Sequence, residues 1–137
     1  MVNYQFERFK NIIKNESQFS TKSPLPTSLF IKKEGQISVY YAPFEYVNVN
    51  AKIVIVGITP GLQQAANALN VAKTGLETGC SSEKILKSVK SSASFSGPMR
   101  SNLINMLDHV GINKNWVFPV QSCFLVHIHI WSKWHLF

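Results

Sequence analysis

A chain of 137 residues is long enough for one domain and short for two independent cores. Its composition, 45% hydrophobic and 15% charged, excludes a disordered polymer. Lys and Arg total 14 against 7 Asp and Glu, so the net charge is +7. Such a balance attracts phosphate polyanions without specifying a fold.

The two cysteines, Cys80 and Cys123, form neither a CxxC pair nor a disulfide framework. The N-terminus MVNYQFERFK has no apolar leader core. Together these predict a reducing, cytoplasmic setting. The most apolar stretch, 116–131, is interrupted by Gln121, His127 and His129, so no membrane association is expected.

In chain order, Tyr4, Phe6, Phe9, Ile12 and Ile13 recur at helical spacing and predict an amphipathic N-terminal helix. Pro24 and Pro26 mark 17–28 as a linker or an irregular crossing segment. Ile37 to Tyr41 is rich in β-branched and aromatic residues and reads as a strand, with Phe44 to Val47 extended at a sheet edge beyond Pro43. Lys52 to Gly57 (KIVIVG) is an apolar run of the kind buried on both faces of a parallel sheet. A Gly/Pro turn comes next, and Leu62, Ala65, Ala66, Leu69 and Ala72 then keep helical period. A buried strand, a tight turn and a helix make half of a βαβ unit.

Gly75 to Ser82 reads as a loop, Lys84 to Lys90 as a short helix, and Ser91 to Gly97 as a second loop. Pro98 suits a first helical position, and Met99, Leu103, Met106, Leu107 and Val110 form one stripe ending at Gly111. The tail differs in composition. After Asp108 there is no acidic residue, and all three tryptophans fall between Trp116 and Phe137. Phe124, Val126, Ile128 and Ile130 alternate with Leu125, His127 and His129, a pattern compatible with a strand.

The expected organisation is a single domain over 1–137, with an N-terminal helix and linker (1–36), a core (37–120) and an atypical tail (121–137). The compositional break suggests a chain truncated or shifted in reading frame near Val120 to Cys123.

The strongest candidate for chemistry is Gly57-Ile58-Thr59-Pro60-Gly61. A turn from a strand's carboxyl end into a helix N-terminus presents free N–H groups and a dipole that favour an anion or a polarised water. Spacing alone equally allows a plain βα connection without a ligand. The turn is neither a Walker A loop nor a GxGxxG fingerprint.

Lys84, Lys87 and Lys90 recur every three residues and are candidates for DNA-phosphate contacts, against the plainer reading of a solvated helix face. Arg100, in the first turn of the last helix, is a further phosphate candidate. His127, His129, His135 and Cys123 lack a convincing fourth ligand spacing, so no metal is expected. Cys80, Asp108 and His109 read as incidental or surface residues.

The segment Gly57 to Leu62 resembles the first motif of the uracil-DNA glycosylase superfamily, above all the mismatch-specific uracil/thymine branch, in which it reads GINPG. Phe95 to Ile104 (FSGPMRSNLI) is similar to that branch's aromatic–proline segment. The resemblance implies a three-layer α/β/α fold with a central, mainly parallel sheet. It implies a protein that takes an extruded base from DNA and hydrolyses its N-glycosidic bond in base excision repair, without a cofactor.

By position, Gly57, Ile58, Pro60 and Gly61 would line the substrate pocket and Phe95 would stack on the base. Thr59 occupies the position of the water-activating Asp or Asn. A threonine hydroxyl orients water but is too weak a base to replace a carboxylate. The alternative is therefore a non-catalytic nucleic-acid-binding module, or an inactive truncated product of the same fold. The family's later wedge-loop motif has no counterpart in this chain.

Overall fold

The computed structural model describes residues 4–51, 55–57 and 59–111. Four helices and one hairpin make up its regular structure: α1 (Tyr4–Asn15), β1 (Phe30–Glu34), β2 (Ile37–Tyr40), α2 (Leu62–Glu77), α3 (Ser82–Ala93) and α4 (Pro98–His109), with a single 3-10 turn at Thr27–Leu29.

Helix α1 forms because Phe6, Phe9 and Ile13 fall on one side at spacings of three and four and are almost fully buried. Its exposed N-terminal amides need an acceptor. One comes from 39 residues away, as the Phe6 amide donates to Glu45 Oε2 at 3.2 Å. Glu7 accepts from Ser82 Oγ at 2.6 Å, which ties α1 to the start of α3. The linker is held down by one carboxamide. Asn70 of α2 accepts from the Phe19 amide at 3.0 Å and donates to the Phe19 carbonyl at 2.9 Å, imitating a ladder pair.

Helix α2 buries Ala65, Ala66, Ala68, Leu69 and Ala72, small side chains that let neighbouring backbones approach. It runs past the expected stop at Gly75 as far as Glu77. A Cβ on Gly75 would lie 2.7 Å from Ile85 Cγ1 of α3. Glycine here makes room for a crossing helix; it does not end its own. Helix α3 starts at the N-cap Ser81, whose Oγ accepts from the Lys84 amide, and buries Ile85, Leu86, Val89 and Ala93. Its last turn extends to Ala93, three residues beyond the expected end. These side chains join those of α1 and α2, and Leu29, Val39, Tyr41 and Phe44, in one core in which the Phe9 and Tyr41 rings stack at 4.3 Å.

The sheet overturns the expected fold class. It has two strands, β1 and β2, paired antiparallel across Glu34↔Ile37 with Gly35 at φ +62° in the turn. No central parallel sheet is present among the described residues, so the three-layer α/β/α expectation is wrong for this structure. Lys52, Ile53 and Val54 of the predicted buried strand lie outside the described residues. Ile55, Val56 and Gly57 belong to no strand, and Val56 is 71% exposed.

The physical reason is that an apolar run supplies faces, whereas a strand also needs partners for its backbone N–H and C=O groups. Of this run, the described residues Ile55 to Gly57 have no strand pairing with the hairpin. Phe44 to Val47 is likewise without strand pairing. Strand β1 has no sequence signal of its own, since all five of its residues are exposed and FIKKE carries no alternation.

Helix α4 begins at Pro98, as the sequence predicts, and its C-terminus closes on Gly111 at φ +76°. None of its residues is buried. The tail expectation, a strand near Phe124 to Ile130, lies outside the described residues. No helix among the described residues is long and apolar enough to cross a membrane.

Candidate functional site

Two segments 38 positions apart in sequence meet at the start of α2. The first is the glycine-rich turn, of which Ile58 lies outside the described residues. Pro60 is buried and Thr59 half-buried; Gly61 is the exposed N-cap of α2 and its carbonyl accepts from the Ala65 amide at 3.0 Å. The second is the loop from Ser94 to Gly97 between α3 and α4. Phe95 sits there at φ +52°, a left-handed conformation that costs a non-glycine residue of the order of 1–3 kcal/mol.

That conformation carries the ring to the turn. A Cβ built on Gly57 would lie 3.9 Å from Phe95 Cε1 and Cζ, so the aromatic ring packs on bare backbone. Gly97, at φ +81° and ψ −153°, occupies a region open essentially to glycine alone.

The first turns of α2 hold this loop with carboxamides. Asn67 Nδ2 donates to Ser96 Oγ at 3.1 Å, and Gln64 Nε2 makes a weak 3.5 Å contact to Met99 Sδ. The Gln63 amide group lies 3.6 Å from the position of a Cβ on Gly97. Sequence reasoning missed these three residues. A signal existed, because polar residues at the start of a helix otherwise packed on alanines need partners.

Arg100 closes the loop from the other side. Its Nη2 donates to the carbonyls of Ser91, Ser92 and Ser94 at 2.8, 3.0 and 2.6 Å, at the carbonyl-rich end of α3. Nη2 of the guanidinium is thereby engaged within the chain. The hydroxyls of Ser94 and Tyr41 are buried without a hydrogen-bond partner among the described residues.

The three lysines do not share a face. Lys84 and Lys87 are exposed, whereas Lys90 is 2% exposed and its Nζ donates to the Phe44 carbonyl at 3.3 Å. Each three-residue step falls about 60° short of a full turn, so six residues rotate Lys90 by about 120°, into the core. Burial pushes its pKa down to about 8.

Near α1, burial pushes the Glu45 carboxyl up, with the Phe6 amide pulling against it. Burial likewise holds the Tyr41 phenol above its usual range, and Glu45 adds to the effect. Thr59 Oγ1 lies 3.4 Å from the Pro60 carbonyl oxygen, a long contact. Cys80 is a half-buried free thiol 3.5 Å from Thr78 Oγ1, while Asp108 and His109 are exposed.

No cluster of three or more His, Cys, Asp or Glu able to hold a metal occurs among the described residues, and His127, His129, His135 and Cys123 lie outside them. An open cleft of about 380 Å³ lies further along α2, lined by Asn70, Val71, Thr74, Gly75, Thr78 and Ser88. None of the residues singled out by sequence lines it.

Over 104 residues the chain is 41% identical to the uncharacterised protein YoxB of Bacillus subtilis (strain 168), covering 74% of this chain and 40% of that protein. The chain therefore spans about 40% of the length of this curated relative. No protein-family model matches the chain. No solved structure matches it.

Proposed function

We propose that this chain is a uracil-DNA-glycosylase-like, base-recognising DNA-binding protein that takes an unstacked base against Phe95 at the Gly57–Gly61 turn. The observation that carries the reading is the meeting of the two motifs, with the Phe95 ring on Gly57 at the N-terminus of α2. The reading rests on this site, since a fold does not assign a function. Stacking on an aromatic side chain contributes about 1–3 kcal/mol per base. The net charge of +7 and the exposed Lys84 and Lys87 supply attraction to the backbone.

Base recognition without turnover is favoured over hydrolysis, because Thr59 offers only a hydroxyl where the chemistry requires a base. The test combines binding and cleavage on duplexes carrying uracil or a mismatch. The protein is expected to bind in a salt-sensitive manner and to leave the glycosidic bond intact. Phe95→Ala should weaken binding about tenfold, in line with one lost stacking contact. Release of free base by the unaltered protein would instead establish the glycosylase. Absence of binding at low salt would remove the DNA reading altogether.

A further inference from the structure

The loop between α3 and α4 has the form of a type II β-turn with a bulky residue at its corner. The Ser96 amide donates to the Ala93 carbonyl at 3.2 Å, and the first central residue, Ser94, lies at φ −62° and ψ 126°. The second central position of such a turn needs a positive φ and is ordinarily glycine. Phe95 occupies it at φ +52°, alone among the described non-glycine residues in having a positive φ. Local preference does not keep a phenylalanine there; neighbours that over-determine the backbone do.

Between two planar peptide groups the only soft freedoms are the φ and ψ of the residue that joins them. Both planes flanking Phe95 are held. On one side the Ser94 carbonyl accepts from Arg100 Nη2 at 2.6 Å, and the same nitrogen donates to the carbonyls of Ser91 and Ser92 at 2.8 and 3.0 Å. On the other side the Ser96 amide is committed to Ala93, and Asn67 Nδ2 of α2 donates to Ser96 Oγ at 3.1 Å. With the two planes fixed, the left-handed corner directs the ring onto Gly57.

We propose that Arg100 and Asn67 are positioning residues that hold Phe95 ready to stack on a base. The inference rests on the base-recognising reading of this site and adds to it the groups that aim the ring. A side chain already fixed in its bound orientation loses little freedom on binding, so the clamp contributes affinity through Phe95.

Nuclear magnetic resonance of the full chain and DNA binding test the clamp and its use separately. The Gly57 Hα resonances should carry a ring-current displacement that Phe95→Ala removes. Arg100→Met and Asn67→Ala should each remove most of it at unchanged far-UV circular dichroism, with Arg100→Lys intermediate. On duplexes, the preference for a uracil mismatch over a matched pair should fall by up to about tenfold in Arg100→Met, the loss expected of Phe95→Ala. The double variant Phe95→Ala, Arg100→Met should be no worse than Phe95→Ala, because the ring through which Arg100 acts is gone. Salt dependence should keep the parent's slope, whereas loss of a phosphate contact would lower it by about 0.9.

A Gly57 displacement that survives both substitutions overturns the clamp. Losses that multiply in the double variant overturn its action through Phe95. An equal loss on matched and mismatched duplexes, with a shallower salt slope, overturns it in favour of a phosphate contact. A parent chain that binds no DNA refutes base recognition, and with it the use given to the clamp, whose existence the Gly57 resonances still decide.

Discussion

Replacing Lys90 with methionine tests whether a buried ammonium limits the stability of this core. Lys90 is 2% exposed, and its Nζ has the Phe44 carbonyl as acceptor at 3.3 Å. A pKa lowered from 10.5 to about 8 corresponds to roughly 3 kcal/mol of preference for the neutral amine. Because the folded value lies below the unfolded one, the unfolded chain binds more protons between the two, and stability rises with pH across that window. Methionine removes the charge and fills similar space, but it leaves the carbonyl unpaired at a cost of about 1–3 kcal/mol.

Urea unfolding followed by far-UV circular dichroism should therefore show Lys90→Met as stable as the parent, or more so, near neutral pH. The parent should then gain roughly 2–3 kcal/mol on the variant between about pH 7 and about pH 10. Tyr41 works in the opposite sense above its usual pKa of 10.0, because its raised folded value makes ionisation favour unfolding. It is present in both proteins and drops out of the difference. Parallel stability–pH curves for the two proteins would falsify the account of Lys90 as a desolvated cation.

Gly75→Ala should destabilise by about 1–3 kcal/mol through overpacking, although alanine is the better helix former by about 1 kcal/mol. The added Cβ would meet Ile85 Cγ1 at 2.7 Å, so Gly75→Ala with Ile85→Ala should be less unstable than the sum of the two single changes in urea melts. Glu45→Gln should equal or exceed the parent in thermal stability near neutral pH. Because the folded carboxyl is raised above 4.5, the parent loses stability as pH climbs from that value, and the gap should close in acid; a gap that widens in acid contradicts this. Arg100→Met should leave three carbonyls at the end of α3 unpaired, at a cost of about 1–3 kcal/mol. Hydrogen exchange should then quicken at Ser94 to Ser96, and unchanged exchange would show that the guanidinium does not order the loop.

Local signals along the chain account for the helices. Phe6, Phe9 and Ile13 in α1, the alanine face of α2 and Pro98 opening α4 are local signals read within one or two turns and stand where expected, whereas α2 and α3 both run beyond the ends expected for them. The two motifs that meet at the candidate site were also visible, although their meeting depends on Phe95 accepting φ +52°.

Features that depend on partners distant in the chain emerge from packing. Ile55 to Gly57 carries the hydrophobicity of a buried strand yet pairs with nothing described, because a sheet is a relation between segments and hydrophobicity in one cannot supply the other. Gly75 reads locally as a stop and serves instead as clearance for Ile85. Lys90 reads as surface charge, until the drift of a three-residue repeat around α3 carries it beneath Phe44.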